Sequence, residues 1–324
     1  MPNVPHVLLW TDTPTAYVDA IAAAGLAGRV AVETLARGQT PSATQCAEVA
    51  AMLAWGAPAG LLPGMAKLRW VQALTAGVEG WLALPDLPEG LMLTCARGTH
   101  RESMPENILG AMFHIAKPYA AIAASQAAGS PTRGQWVRRM AMPLNGRTLG
   151  ILGLGAIGQE VARLAAALGM RVIGTRRGGG ALPGLAEVLP PERTDEVLEQ
   201  SDFVLLLLPA TPQTGNIIDA DRLAHMKPAA WLLNFGRGHL IADADLIAAV
   251  RSRRIAGAIL DVFRTEPLPA EHPFWTTEGI MVLPHIGGGH PERDLVVARL
   301  FVDNLSRFID NAPLREVVDR DAGY

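Results

Sequence analysis

Short apolar runs recur through the first hundred residues and are separated by polar or helix-like segments. Residues 17–24 have helical spacing, and Gly25 follows them as a stop signal. Strands that alternate with helices indicate a parallel sheet with crossover connections. Residues 48–52 are compatible with a helix as well as with a strand. The apolar runs predict strands at 7–10, 30–35, 49–55, 70–74 and 91–95.

The same alternation continues from Thr148 to about Pro284, with more continuous apolar runs. Such runs are typical of parallel strands that are covered on both faces. A long helix predicted over 102–124 precedes this half, and a helix over 295–309 is expected to cross back and close the first domain. The runs predict strands at 203–208, 232–234, 257–262 and 280–283.

A glycine-rich turn joins the first strand of this second half to a helix, in Thr148-Leu-Gly-Ile-Leu-Gly-Leu-Gly-Ala-Ile-Gly158. In the Gly-x-Gly-x-x-Gly pattern, Gly153 allows the tight turn and Gly155 lets the backbone approach a pyrophosphate, while Gly158 lets the helix pack on its strand. The pyrophosphate would lie on the unsatisfied N–H groups of the helix N-terminus. Because a strand precedes the motif and a helix follows it, the pattern predicts dinucleotide binding.

These patterns together predict an α/β protein with two domains. We expect a Rossmann-type domain, with a doubly wound parallel sheet, over 104–286. A smaller flavodoxin-like α/β domain is expected to be discontinuous and to comprise 1–103 and 287–324.

Two arginines follow the second nucleotide-binding strand, where NAD-binding sites usually place Asp or Glu. Arg176 and Arg177 would not repel a 2′-phosphate, and a guanidinium can bind it through two charge-assisted hydrogen bonds. The glycines at 178–180 would let the loop close around this group. The sequence therefore favours NADP(H), with NAD(H) possible if both arginines are only solvated loop residues.

Composition narrows the range of partners. The 324 residues are 49% hydrophobic and 18% charged, with a net charge of −3, which gives no sign of a nucleic-acid or membrane partner. Cys46 and Cys95 lack metal-ligand spacing and are expected to be small core residues of a reduced, cytoplasmic protein. No His/Cys/Asp cluster predicts a metal site, and no secretory signal is visible at the N-terminus.

Three charged residues follow apolar strands of the second half. Arg237 follows the strand at 232–234, Glu266 follows the one at 257–262, and His285 follows the one at 280–283. Residues beyond the carboxyl ends of parallel strands share one crevice, so all three are candidates for one site. Taken singly, each has an ordinary alternative, as a loop cap, a solvated turn residue or a buried histidine.

The chain resembles the NAD(P)-dependent D-2-hydroxyacid dehydrogenases over nearly its whole length. The resemblance rests on Gly153-Leu-Gly-Ala-Ile-Gly158, Arg237-Gly, Asp261-Val-Phe-x-x-Glu266-Pro-Leu and Pro284-His285, which occur in the family's order. Within the family the chain is most similar to the NADPH-dependent glyoxylate/hydroxypyruvate reductases. The resemblance implies hydride transfer to a small 2-keto acid by a homodimer, with 1–103 and 287–324 as the substrate-binding domain.

That chemistry needs these residue types. Reduction adds hydride to the carbonyl carbon and a proton to its oxygen, and His285 suits the role of general acid. Glu266 would stabilise the imidazolium and fix the ring, and Arg237 would grip the substrate carboxylate.

The resemblance also implies the remaining contacts. Asp261 would meet the nicotinamide carboxamide, and Trp136 is a weaker candidate for reaching the active site of the partner in a dimer. His100 is a candidate only from its position near the expected domain junction, where a structural or surface role is favoured over one at the substrate pocket. The substrate would contact Trp55, Ala76, Gly77 and Val78 as well as Arg237 and His285. The cofactor would contact Gly153, Gly155, Ala156, Ile157, Gly158, Thr175, Arg176, Arg177, Leu208, Pro209, Thr214, Phe235, Gly236, Asp261, His285 and Gly287.

Two alternatives stay open. One is another dehydrogenase of this family, acting on phosphoglycerate or on a bulky 2-keto acid. The other is a non-catalytic protein that binds the nucleotide as a sensor.

Overall fold

The computed structural model describes residues 4–129 and 141–323, which form two compact units. Of these residues, 4–100 and 290–323 form the first unit, and 101–129 and 141–289 form the second. The predicted boundaries at 103/104 and 286/287 remain predictions. Trp136 lies outside the described residues.

The described elements follow one another in a regular alternation. They are β1 (His6–Trp10), α1 (Pro14–Ala23), β2 (Ala31–Leu35), α2 (Ala43–Glu48), β3 (Val49–Ala54), β4 (Trp70–Ala73), α3 (Glu79–Leu82), β5 (Met92–Thr94), α4 (Ser103–Ala116), α5 (Tyr119–Ala127), β6 (Thr148–Leu152), α6 (Ala156–Ala167), β7 (Arg171–Thr175), β8 (Glu187–Leu189), α7 (Thr194–Gln200), β9 (Phe203–Leu206), α8 (Ala220–His225), β10 (Trp231–Asn234), α9 (Asp243–Arg251), β11 (Gly257–Leu260), β12 (Ile280–Val282) and α10 (Arg293–Ile309). Short 3₁₀ helices lie at Leu62–Gly64, Pro191–Arg193, Gly238–Leu240 and Pro273–Trp275.

The first unit contains a five-stranded parallel sheet in the order β2-β1-β3-β4-β5. This is the flavodoxin-like order, in which the chain reverses direction across the sheet between β1 and β3. The ambiguity over 48–52 is resolved by a capping box. Ser42 and Gln45 start α2 by exchanging side-chain and backbone hydrogen bonds, and the strand begins only at Val49.

Helix α10 packs in the first unit against α1 and the sheet. Its Phe301 ring stacks on Trp70 of β4, with the ring centroids 5.5 Å apart, and meets Tyr17 of α1 edge-on. All three side chains are buried. The apolar stripe predicted over 295–309 thus lies against the core of this unit.

The second unit contains a seven-stranded parallel sheet in the order β12-β11-β10-β9-β6-β7-β8. The order reverses between β6 and β9, as in a doubly wound Rossmann sheet, so the predicted fold class is confirmed. All residues of β6 and β9 are buried, which is the reason why these strands are apolar without alternation. Strand β9 ends at Leu206 and not at 208. The apolar run extends two residues further, into the loop beyond the strand.

The prediction of a single helix over 102–124 is wrong. The structure has α4 and α5, whose axes are bent by 64° at Lys117 and Pro118. Proline has no N–H to donate and disfavours a helical conformation in the residue before it, and Lys117 is extended with φ −118° and ψ 132°. Among the described residues no single helix is long and apolar enough to cross a membrane; α4 and α5 reach that length only together, across the bend.

Candidate active site

The residues predicted to bind a dinucleotide follow six strands of the second sheet at their carboxyl ends. These ends share one edge because the strands are parallel. The predicted contacts follow β6 (Gly153, Gly155, Ala156, Ile157, Gly158), β7 (Arg176, Arg177), β9 (Leu208, Pro209, Thr214), β10 (Phe235, Gly236), β11 (Asp261) and β12 (His285, Gly287), and Thr175 is the last residue of β7.

The three motif glycines face different surroundings. Gly153 has φ +108°, and a Cβ there would lie 2.9 Å from the backbone of Leu207. A Cβ on Gly158 would lie 2.5 Å from the carbonyl oxygen of Gly153. By contrast, a Cβ on Gly155 would meet no atom within 4 Å, so the backbone here borders open space. Gly155 is also the N-cap of α6 and provides no side-chain cap, which leaves the helix N-terminus open to an anion. The turn fits a pyrophosphate.

The loop after β7 presents two exposed arginines. The backbone N–H of Arg176 donates to Leu189 O at 2.9 Å, which anchors the start of the loop. The side chains of Arg176 and Arg177 are exposed, whereas Thr175 is buried. Gly179 and Gly180 have φ +55° and +84°, so the loop turns sharply behind the arginines. A ribose phosphate near the end of β7 would meet positive charge.

His285 and Glu266 are in direct contact, with 2.6 Å between His285 Nδ1 and Glu266 Oε2. The other carboxylate oxygen of Glu266 accepts the backbone N–H of Phe263 at 2.8 Å, so the carboxylate is held by its own loop. With Nδ1 engaged, Nε2 is the ring nitrogen that can serve a substrate. The side chain of His285 is 54% exposed. Its backbone has φ +52°, a conformation that residues other than glycine rarely adopt.

Asp261 holds the turn that carries His285. Its carboxylate is fully buried and accepts the backbone N–H groups of Ile286 and Gly287, each at 2.8 Å. A Cβ on Gly287 would lie 2.7 Å from Asp261 Oδ2, so glycine is needed at this contact. Burial raises the pKa of the Asp261 carboxyl, and the two N–H bonds act in the opposite direction. Asp261 was predicted to meet the nicotinamide carboxamide, and that contact remains a prediction.

Arg237 lies on a loop that is fixed by Asn234, the last residue of β10. The Asn234 amide donates to Arg237 O at 2.9 Å and accepts the N–H of Gly236 at 3.1 Å. A Cβ on Gly238 would overlap the backbone of Phe263, the residue that Glu266 binds. The loops of Arg237 and Glu266 are therefore packed together, and Glu266 in turn contacts His285.

Two residues of this arrangement were missed from the sequence. Asn107 of α4 donates its amide to Gly287 O at 2.9 Å and to Ile286 O at 3.3 Å, and so adds a second hold on the His285 turn through its carbonyl groups. Asn234 is buried and organises the Arg237 loop. In the sequence, each of these residues is marked only by being a polar amide beside an apolar residue. The apolar residue is Ile108 for Asn107 and Leu233 for Asn234.

Four of the predicted substrate contacts belong to the first unit. Trp55 follows β3, and Ala76, Gly77 and Val78 follow β4 at the same edge of that sheet. Among the described residues, the N–H groups of the three residues at 76–78 meet no acceptor, as a carboxylate-binding turn requires. His100 is half-buried at the end of the first segment of this unit.

Comparison with known proteins identifies a family whose model matches this chain. Residues 109–287 match the family model described as D-isomer specific 2-hydroxyacid dehydrogenase, NAD binding domain. The glyoxylate/hydroxypyruvate reductase A of Serratia proteamaculans is 32% identical over 240 residues, which cover 72% of this chain and 75% of that protein. The (S)-sulfolactate dehydrogenase of Chromohalobacter salexigens is 33% identical over 250 residues, which cover 76% of this chain and 79% of that protein.

The fold comparison includes a solved NADPH-dependent glyoxylate/hydroxypyruvate reductase from Sinorhizobium meliloti, in complex with NADP and sulfate. It matches with a TM-score of 0.83 and 27% identity, and the match covers 99% of this chain and 100% of that one.

Proposed function

Because the chain belongs to the D-isomer specific 2-hydroxyacid dehydrogenase family, we propose that it reduces glyoxylate or hydroxypyruvate to the D-2-hydroxy acid with NADPH. It is an NAD(P)-dependent oxidoreductase, as its relatives are. The observation that carries the proposal is the His285–Glu266 contact of 2.6 Å, at the same sheet edge as the open glycine turn. A sensor that only binds the nucleotide has no use for an imidazole oriented by a carboxylate.

In this proposal the chain's own residues handle the proton and the carboxylate of the substrate. NADPH, when bound, supplies the hydride that the carbonyl carbon receives. His285 donates a proton from Nε2 to the carbonyl oxygen, and Glu266 keeps the ring oriented and balances the charge of its protonated form. Arg237 binds the substrate carboxylate through two hydrogen bonds and helps to polarise the carbonyl. A positioned general acid is typically worth ~10²–10⁴ in rate.

NADPH is the preferred cofactor in this proposal because of Arg176 and Arg177. Between Thr175 and Glu187 the sequence has no carboxylate that would bind both ribose hydroxyls or repel a 2′-phosphate. The solved relative from Sinorhizobium meliloti holds NADP. NAD(H) remains a possible second cofactor.

A second candidate is another reaction of the same family. The (S)-sulfolactate dehydrogenase relative is as similar to this chain as the glyoxylate/hydroxypyruvate reductase is. The catalytic residues would serve either substrate, because both reactions interconvert a 2-hydroxy and a 2-keto acid. The cytoplasmic location and the homodimer remain predictions from the resemblance.

The proposal is tested by initial rates of nicotinamide oxidation with hydroxypyruvate, glyoxylate, pyruvate and phenylpyruvate, each with NADPH and with NADH. We expect fast NADPH-linked reduction of hydroxypyruvate or glyoxylate. Activity on phenylpyruvate alone would keep the reaction and reject the substrate, and equal efficiency with NADH would reject the role of the two arginines. Binding of NADPH without any turnover would favour the sensor.

A further inference from the structure

A cluster of charged and aromatic side chains in the first unit surrounds Trp55, one of the predicted substrate contacts. It consists of Arg37, Trp55 and Arg293, and we call it the edge cluster. The guanidinium carbon of Arg37 lies 5.2 Å from the centroid of the Trp55 ring, and that of Arg293 lies 4.4 Å from it. Guanidinium groups stacked on an aromatic ring keep their N–H edges available to an anion.

The edge cluster lies where an α/β sheet binds ligands. Arg37 follows β2 and Trp55 follows β3, both at the carboxyl edge and beside the reversal of strand order between β1 and β3. An open depression of about 310 Å³ occurs here. It is lined by Trp10, Arg37, Trp55, Gly56, Ala57 and Pro58.

Arg293 connects the edge cluster to the turn proposed to hold the substrate carboxylate. Its Nη2 donates to Leu74 O, directly before the turn at 75–78. Its Nη1 donates to Asp294 at 2.6 Å, and the Asp294 carboxylate also accepts the hydroxyl of Thr13 at 2.6 Å. Arg293 is therefore fixed in position and its charge is balanced.

Arg37 differs because its charge is not balanced within the described residues. Its loop is held through the backbone: the N–H of Arg37 donates to Asp12 Oδ1 at 2.9 Å, and Trp10 Nε1 donates to Ala36 O at 3.1 Å. Among residues 4–129 and 141–323, no carboxylate lies within ion-pair distance of the Arg37 guanidinium. Asp12 is the acidic group facing this loop, and one of its oxygens is bound to the Arg37 N–H.

From this arrangement we infer that Arg37 selects 2-keto acids whose far end carries a second anionic group, a carboxylate, sulfonate or phosphate. The inference rests on the proposed function, since it assumes the same NADPH-linked reduction of a 2-keto acid. It adds substrates with a second negative charge to glyoxylate and hydroxypyruvate, which lack one. The reaction is unchanged: the carbonyl carbon gains hydride, its oxygen gains a proton, and NADPH becomes NADP⁺. The second anion takes no part in the transfer and only binds Arg37 through charge-assisted hydrogen bonds.

The test compares substrates with and without the second charge, and the first pair has equal chain length. Wild-type protein and Arg37→Met are assayed with NADPH on oxaloacetate against 2-ketobutyrate. Sulfopyruvate and 3-phosphohydroxypyruvate, each against hydroxypyruvate, identify which anion is preferred. We expect wild type to prefer the charged member of at least one pair by about tenfold or more in kcat/KM, because only that member can form charge-assisted hydrogen bonds with Arg37. Arg37→Met should abolish that preference and Arg37→Lys should restore part of it.

A matched control is Arg69→Met. The Arg69 guanidinium is also stacked on an aromatic ring of this unit, 4.6 Å from the Phe308 centroid, but it precedes β4 at the opposite edge of the sheet. This variant should keep the wild-type preference. Equal preferences in wild type and Arg37→Met, with 2-keto acids still reduced, would overturn the inference and leave the proposed function intact.

A binding measurement distinguishes failure of the proposed reaction from failure of the inferred anion subsite at Arg37. Calorimetric titration with D-malate and with D-2-hydroxybutyrate, in the presence of NADP⁺, requires no turnover. Arg37→Met should weaken D-malate about tenfold more than D-2-hydroxybutyrate. If no 2-keto acid is reduced but this difference appears, the proposed reaction fails and the anion subsite stands; if Arg37→Met weakens both acids equally, the subsite is rejected.

Discussion

At the scale of single residues, two glycines of the turn after β6 differ: the fold requires Gly153, whereas Gly155 is expected to matter for cofactor binding. The fold requires glycine at position 153, because the residue has φ +108° and a Cβ there would lie 2.9 Å from the Leu207 backbone. Gly155 has φ −80° and faces open space, so an alanine side chain fits the folded chain. The two positions therefore respond differently to the same substitution.

We expect Gly155→Ala to keep unfolding stability within about 1 kcal/mol, the size of an N-cap change. Its methyl group would occupy the space needed for the pyrophosphate, so NADPH affinity should fall at least about tenfold, or ~1.4 kcal/mol. Gly153→Ala should instead cost about 2–4 kcal/mol through strain and overlap. Urea unfolding and NADPH titration by fluorescence measure both. Wild-type NADPH affinity in Gly155→Ala would show that the cofactor does not approach this backbone.

The local geometry of the glycine turn could be predicted from the sequence, whereas contacts between residues far apart in the chain could not. The Gly-x-Gly-x-x-Gly turn is set by residues within a span of six positions. Asn107 supports a turn about 180 residues further along the chain, and nothing in its own neighbourhood indicates that partner. The hold of Asp261 on the N–H groups of Ile286 and Gly287 likewise appears only once β11 and β12 are adjacent.

At the scale of elements, helix α10 is tied into the first unit by a buried polar network as well as by its aromatic stripe. Asn304 is fully buried, and its amide donates to Gln72 Oε1 of β4 at 3.1 Å and accepts the N–H of Arg315 at 2.7 Å. The same Gln72 oxygen accepts the hydroxyl of Thr94 from β5 at 2.8 Å. The network thus joins the helix to two strands and to the segment after it.

Asn304→Ala should destabilise the protein by about 1–3 kcal/mol, because it leaves buried polar groups without partners. Asp310→Ala is the matched control just beyond the end of α10. It removes an exposed ion pair with Arg29, and such pairs are worth less than about 1 kcal/mol. Urea unfolding followed by tryptophan fluorescence compares the two variants. Equal losses would mean that the network contributes no more than a surface contact.

Outside residues 48–52, the predicted helices and strands have the type that the hydrophobic pattern indicated, but their ends depend on backbone hydrogen bonds. The break between α4 and α5 is caused by the missing N–H of Pro118, while the apolar pattern runs on without interruption at 119–124. The capping box at Ser42 and Gln45 decided between helix and strand near residue 48. In both places the backbone hydrogen bonds were more informative than the periodicity.

At the scale of the whole molecule, two parallel sheets carry the candidate site residues on their carboxyl edges. In each sheet the strand order reverses once, between β1 and β3 in the first unit and between β6 and β9 in the second. The sequence could predict two α/β domains, because it alternates strands with helices throughout. It could not identify Arg37 as a binding residue, since an arginine after an edge strand has no distinctive pattern and its contact with Trp55 requires the sheet order.

In the proposed reaction His285, held by Glu266, provides the proton for reduction of a 2-keto acid. The most direct test of this role is the turnover number for NADPH oxidation with hydroxypyruvate in wild type and in His285→Ala, with NADPH affinity measured in both. We expect a loss of turnover of ~10² or more with NADPH affinity unchanged. Wild-type turnover in His285→Ala would contradict this expectation and remove His285 from the mechanism.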